Sequence, residues 1–302
     1  MDAAIVDKLG DAPRPGRVEA PVPRAGQVTV AVSAAALNPI DLLISAGRHP
    51  AGAPPVPHVP GVEGMGRLAD GTRVWFSVQG GFVSGSLAQL VCVPEGACVP
   101  VPDEVSDEIA AAIGVVGGGA LVALRDRARV SPGDRVLVLG ATGAFGQMFV
   151  QLAKVLGAKH VTAAGRDTAR LAGLTALGAD ALVSLDELGD GYDIVVDPLW
   201  GPYAAPALGA LANGGRLLNV GQAAGPSAEL PAGPLRHRGA SVIGFSGATL
   251  PPAQFAAAYR EVAGEVAAGR IQVDVTTFPL SGVTSAWQAQ AGSPGRKLVV
   301  TM

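Results

Sequence analysis

Two different rhythms of apolar and polar positions run along this chain. Up to about residue 105 apolar residues alternate with polar ones in short runs, such as Gln27–Val32, Arg73–Ser77 and Ala88–Val93, broken by proline and glycine. Period-two alternation gives each strand one core face and one wet face, so this punctuation predicts an antiparallel, barrel-like β domain. Five prolines between Gly47 and Pro60 predict a loop there, because each removes a ladder donor.

Beyond about residue 108 the rhythm changes. Arg135–Leu139 is a continuous apolar run of the kind buried on both faces of a parallel sheet. Phe145, Met148, Phe149, Leu152 and Leu156 then recur at helical spacing. Strands are predicted at 160–164, 181–183, 193–197, 216–220 and 241–244, with helices at 167–177 and 203–212. Strands alternating with helices at this interval make βαβ units and a parallel sheet. The tail reads as a helix over 252–268, a strand at Ile271–Val275, a short helix near 282–290 and a last strand at Lys297–Thr301. It is expected to return to the first domain, making that domain discontinuous (1–108 with 249–302) around a dinucleotide-binding domain at 109–248.

The length of 302 residues suits two domains. With 49% apolar and 16% charged residues, disorder is excluded and a sizeable core is available. Aromatics are only 4%, so Ala, Val and Leu must build that core. A net charge of −3 with no Lys/Arg cluster argues against nucleic acid as a partner. No apolar run approaches a membrane span. Two cysteines, Cys92 and Cys98, form no disulfide framework and suit a reducing compartment, so the expected location is cytoplasmic.

The strongest chemical signal is Gly140-Ala-Thr-Gly143-Ala-Phe-Gly146, where a strand runs into three glycines and a helix leaves from them. Such a turn lets the backbone approach a pyrophosphate, and the helix N-terminus supplies free N–H groups and partial positive charge. The next strand ends at Gly165-Arg166, with Arg170 one helical turn on. NAD-specific domains place a carboxylate there for the ribose 2′-hydroxyl, whereas a guanidinium fork fits a 2′-phosphate. The expected cofactor is therefore NADPH. Asp167 is the rival, either selecting NADH or capping the following helix.

Several segments in collinear order resemble the zinc-independent quinone oxidoreductase branch of the medium-chain dehydrogenase/reductase superfamily. They include Ala36-Leu-Asn38-Pro39-Ile-Asp41, Pro60-Gly61-Val-Glu63-Gly64-Met-Gly66, Gly85–Pro94, Val130–Val136, the glycine turn, Leu177–Asp180, Gly214–Leu217 and Gly295–Thr301. The resemblance implies a GroES-like β-barrel catalytic domain, an inserted Rossmann domain with a doubly wound parallel sheet, a cofactor cleft between them and a homodimer. It places Asn38 and Asp41 beside the nicotinamide. The expected cofactor-binding set is Gly140, Thr142, Gly143, Ala144, Phe145, Gly146, Gly165, Arg166, Arg170, Gly221, Phe245 and Lys297. At the positions of the metal ligands of zinc-dependent relatives stand Asn38, Val62 and Val115. Valine ligates nothing, so no metal is expected. Leu43 and His49 occupy places where the family often has tyrosine, which implies altered substrate recognition.

Hydride addition to a quinone or α,β-unsaturated carbonyl moves negative charge onto oxygen, so a nearby donor suffices. Asn38, Asp41 and His49 are the catalytic candidates. Asp41 reads either as a base or as the group that orients Asn38, and His49 as a proton donor or an exposed loop histidine. His58 has the same ambiguity. Trp75, Phe76, Phe82, Trp200 and Phe245 could line an apolar pocket or pack in cores. The expected function is NADPH-dependent, metal-free reduction of a small quinone or enone. The alternatives are an enoyl reductase acting on a polyketide-like thioester and a non-catalytic NADPH-binding sensor.

Overall fold

A computed structural model of the chain describes residues 1–49, 52–78 and 84–302. The first strands are β1 (Asp2–Ile5), β2 (Arg14–Arg17), β3 (Gln27–Leu37), β4 (Glu63–Arg67), β5 (Arg73–Ser77), β6 (Leu90–Pro94) and β7 (Cys98–Pro100). Helix α1 (Pro39–Ser45) follows β3 directly. A helical stretch then opens with α2 (Asp107–Ala112), passes through π-helical turns and α3 (Gly119–Val122), and ends at Ala128. Next come β8 (Arg135–Val138), α4 (Ala144–Val155), β9 (His160–Gly165), α5 (Thr168–Ala172), β10 (Ala181–Ser184) and β11 (Tyr192–Asp197). These lead into α6 (Ala204–Gly209), β12 (Leu211–Asn219), α7 (Ala232–His237) and β13 (Ser241–Gly244). The tail holds α8 (Pro252–Ala267), β14 (Val275–Pro279), α9 (Val283–Ala291) and β15 (Lys297–Thr301).

The chain divides into two compact units. One comprises Met1–Val115, Pro251–Ala268 and Val273–Met302; the other comprises Val116–Leu250 with Gly269–Gln272. In the first unit a seven-stranded sheet runs β14-β15-β3-β4-β5-β7, with β6 also paired to β3. Its pairings are antiparallel except β14 with β15, which is parallel. β3 is long enough to serve three partners, β15 and β4 toward its C-terminal half and β6 toward its start. The inward positions of these strands form one core with Val283, Ala286 and Trp287 of α9. Trp75 and Phe76, 2% and 0% exposed, are core residues rather than pocket lining. Phe82 lies outside the described residues.

The second unit is a six-stranded parallel sheet ordered β10-β9-β8-β11-β12-β13. Strand order reverses between β8 and β11, and the carboxyl ends of the strands flanking such a reversal open the crevice where doubly wound sheets bind ligands. The central strands are apolar on both faces, with Val136, Leu137, Val138, Ile194, Val195 and Val196 fully buried. No helix among the described residues is long and apolar enough to cross a membrane.

Some sequence-based expectations shift here. The strand expected at Ile271–Val275 forms instead at Val275–Pro279. Ile271 is buried, and Gln272 is tied to α4 of the second unit: its N–H donates to Gln151 Oε1 at 2.7 Å while Gln151 Nε2 donates to its carbonyl at 3.0 Å. The helix expected to reach residue 212 stops at Gly209, because Leu211 already pairs with Tyr192 at the start of β12. The helical run over 107–128 is apolar and buried on nearly every side, and helices α1 and α7 are short, so none of them shows the one-sided stripe that periodicity detects.

Candidate functional site: a glycine turn and a buried polar network

Two features carry chemistry, one in each unit. In the second unit β8 ends at Val138 and Gly140 turns the chain with φ +57°, a conformation that suits glycine. A Cβ on Gly146 would stand 2.5 Å from the Gly140 carbonyl oxygen and 2.6 Å from Ala141 Cα, so only glycine lets α4 start this close to the strand. Gly143 is the N-cap of α4, and neither a side-chain cap nor an acidic residue occupies the first turn. The first-turn N–H groups of Ala144, Phe145 and Gly146 thus remain for an anion. Thr142, Gly143, Ala144 and Phe145 are all half-buried, and a Cβ on Gly165 would touch the Thr142 methyl.

The ends of the neighbouring strands shape the rest of this rim. Arg166 and Arg170 are exposed beyond β9. Asp167 caps α5 by accepting from the Arg170 N–H at 3.1 Å, and its other oxygen pairs with Arg170 Nε at 3.3 Å. Asp197 closes β11: it is fully buried, and its Oδ1 accepts from the N–H groups of Leu199 and Trp200, both at 2.8 Å. Burial raises its carboxyl above the usual range despite those two bonds. Asn219 Nδ2 donates to the Gly221 carbonyl at 2.7 Å, and a Cβ on Gly221 would crowd the Pro198 carbonyl. Phe245, half-buried, follows β13, its N–H donating to the Asn219 carbonyl at 2.9 Å. Asp197 and Asn219 carry no signal in the sequence, since their partners are main-chain groups that only the fold brings near.

In the first unit Asn38, Asp41, Glu63 and Lys297 are all at most 3% exposed and form one network. Asn38 is the N-cap of α1, and its N–H donates to Asp41 Oδ2 at 2.7 Å. The Asn38 amide donates to Glu63 Oε1 at 2.9 Å and accepts from Lys297 Nζ at 2.6 Å. Lys297 Nζ also donates to the Leu37 carbonyl at 3.2 Å and lies 3.6 Å from Glu63 Oε1. Glu63 Oε2 accepts from the Val115 N–H at 2.7 Å and from Trp75 Nε1 at 3.3 Å. A Cβ on Gly114 would collide with this carboxylate and the Trp75 ring, which Tyr259 stacks against at 4.4 Å between centroids. Glu63 is thereby saturated by a cation and three neutral donors, the condition under which a buried charge is tolerated.

Burial sets the protonation of this region. Asp41 is pushed up to about 7, burial outweighing its bond from Asn38; Glu63 adds to the rise and Lys297 opposes it. Lys297 is lowered by burial, against the pull of Glu63 and Asp41. Lys297, expected at the cofactor, is spent on Asn38, Leu37 and Glu63, and the Asn38 amide is likewise fully engaged inside the network. His49 is half-buried outside it, with its carbonyl accepting from the Gly52 N–H at 2.9 Å.

The donor set at the positions where zinc-dependent relatives bind their metal does not fit that ion. Val62 and Val115 offer no ligand atom, and Asn38 Oδ1 already accepts from an ammonium. Among the described residues no group of three or more His, Cys, Asp or Glu could hold a metal ion.

Residues 24–103 match the alcohol dehydrogenase GroES-like domain and residues 144–264 the zinc-binding dehydrogenase domain. The chain is 34% identical over 308 aligned positions to a phenolphthiocerol/phthiocerol polyketide synthase subunit of Mycobacterium tuberculosis, an alignment covering 93% of this chain and 14% of that protein. It thus spans a small part of the length of such relatives. It is 30% identical to a quinone oxidoreductase-like protein 2 homolog of Nematostella vectensis, over 72% of this chain and 64% of that one. A quinone oxidoreductase from Thermus thermophilus, whose structure is also known in complex with NADPH, is 32% identical and superposes with a TM-score of 0.85 over the whole of both chains. Both domains, in order and over the full length, make the chain a member of the medium-chain dehydrogenase/reductase superfamily, built from a GroES-like domain and a Rossmann domain.

Proposed function

We propose that this chain is an NADPH-dependent, metal-free reductase of carbon–carbon double bonds conjugated to a carbonyl, quinones included. The observation that carries the reading is the uncapped glycine turn of α4 at the sheet's strand-order reversal, with Arg166 and Arg170 exposed beyond the next strand. The turn N–H groups fit a pyrophosphate, and the two guanidinium groups fit a 2′-phosphate, which a ribose hydroxyl could not repay. Asp167 is committed to capping α5 and pairing with Arg170, which favours its role as a cap over selection of NADH. NADPH, when bound, supplies the hydride. The chain's own contribution is to bind and orient that cofactor, exclude water and place a hydrogen-bond donor where oxygen gains charge.

The 34% identity to a polyketide synthase favours a second reading of the acceptor, an α,β-unsaturated acyl thioester. The two share one reaction and differ in the group bonded to the carbonyl carbon. The test is NADPH consumption with a benzoquinone, a simple enone and crotonyl thioester, each with and without chelator. Turnover unaffected by chelator is expected. Tight NADPH binding with no turnover on any acceptor would indicate a sensor, and oxidation of simple alcohols alone would reject the reading. A homodimer and a cytoplasmic location are proposed with it.

A further inference from the structure

A small cavity of about 20 Å³, room for one water-sized group, lies inside the first unit between α1 and the segment His58–Val62. Its wall is apolar at Ile44, Val59, Pro60, Val62 and Val78, and three buried polar side chains interrupt it: Asp41, Ser45 and His58. Ser45 Oγ lies 3.2 Å from His58 Nε2. Two side-chain atoms here fall short of full hydrogen-bond geometry, Asp41 Oδ1 and His58 Nδ1, although the Val62 N–H stands near the Asp41 carboxyl and the Pro55 carbonyl near His58. A third, Ser86 Oγ, is set against the wall at Gly61. Buried polar atoms are nearly always satisfied, so unsatisfied ones gathered at one cavity ask for something that enters it.

We propose that this cavity is a subsite for the carbonyl oxygen of the acceptor, held by the Asp41 carboxyl with the Ser45–His58 pair beside it. The inference rests on the reading of the chain as a reductase of conjugated carbonyls and names the group that receives the carbonyl. Asp41, raised to about 7, keeps a proton to donate near neutrality, and burial lowers His58 so that its ring is neutral there, the Pro55 carbonyl acting the other way. No Lys or Arg stands among the described residues of the lining, so a carboxylate or phosphate would be desolvated without a cation, which favours a neutral oxygen. With about 20 Å³ of room the cavity admits one water-sized group, so only the carbonyl oxygen of an acceptor enters it.

The step balances with a reduced nicotinamide as reductant. The hydride forms a C–H bond at the carbon β to the carbonyl, and the π pair moves through the α carbon to the oxygen. Asp41 gives its proton to that oxygen. The enol then tautomerises to the saturated carbonyl, and water restores the Asp41 proton. The hydrogen-bonding acid thus stabilises developing oxyanion charge.

The test needs no turnover. Protein labelled with ¹⁵N-histidine is titrated with cyclohexanone in the absence of cofactor, the His58 signal being identified by its loss in His58→Gln. The expected result is a saturable shift of His58, absent with acetate and weakened about tenfold in Asp41→Leu and in Ser45→Val, the latter filling the cavity. No response to cyclohexanone, an equal response to acetate, or a response unchanged in both variants would overturn the subsite and leave a cavity for water. NADPH binding is followed by its fluorescence on the same samples, which also reports that each variant is folded. Loss of NADPH binding with the His58 shift intact would sink the cofactor reading alone; the converse would sink the subsite alone. A second readout is kcat for an enone, which should fall as pH rises through about 7 in the wild type but not in Asp41→Asn. Glu63 and Lys297 face Asp41 through the network, Ser45 and His58 across the cavity, and only Asp41 is removed by that variant.

Discussion

The two chemical centres of this molecule are built from different materials. The turn at Gly140–Gly146 is a main-chain device: a strand, a bend and a helix start, contiguous in sequence, present backbone N–H groups. The network around Glu63 is a side-chain device, joining residues as far apart as Asn38 and Lys297, and each member is buried and holds another in place. A main-chain device needs the absence of side chains, and a Cβ spoils it. A side-chain device needs charge balance, and the loss of one partner strands the others. Damage to the first centre should therefore cost folding less than damage to the second.

Lys297→Met is the severest way to probe that contrast. It leaves the Glu63 carboxylate buried without its cation and should cost about 3–5 kcal/mol in urea unfolding. A loss below about 1 kcal/mol would mean that the network is not what holds the first unit together. Next is pH. The folded chain keeps the Asp41 proton up to about 7, whereas the unfolded chain releases it near 3.8, so stability falls as pH rises between those values. Three units at 1.36 kcal/mol each put a ceiling of about 4 kcal/mol on the loss. Melting temperatures of wild type and Asp41→Asn should diverge between pH 4 and pH 8 by roughly that measure, with the wild type showing the steeper decline.

Gly146→Ala pushes a methyl into the Gly140 carbonyl and should cost about 1–3 kcal/mol in stability. NADPH affinity, read by fluorescence titration, should fall with it because the turn must open. The mildest are Arg166→Ala and Arg170→Ala, each expected to weaken NADPH by about 1–3 kcal/mol while leaving NADH and the unfolding transition unchanged. Equal losses for both dinucleotides would remove the 2′-phosphate assignment.

The same contrast explains what could be read in the sequence. The glycine turn is legible because its parts are adjacent: an apolar strand, three glycines and a helical stripe. Alternation likewise reveals β3, β5 and β6. Glu63 and Lys297 give no local sign of one another, since nothing in Pro60–Gly66 points to a lysine more than two hundred residues on. His58 reads as an ambiguous loop histidine because its burial comes from α1 and from β-bridge pairing with Val6, both remote in sequence. The tail strand reads four residues early because alternation already starts at Ile271 and runs through Thr276, and only the clasp between Gln151 and Gln272 decides where pairing begins.

That clasp has a practical corollary for anyone cutting the gene. The polypeptide passes from one unit to the other at four places, after Val115, Leu250, Ala268 and Gln272. No single truncation liberates either half, and a fragment ending at Leu250 would lack the Gln272 partner of α4 as well as β15, a neighbour of β3. A minimal nucleotide-binding fragment would have to carry Gly269–Gln272 grafted back behind Leu250 through a short artificial spacer.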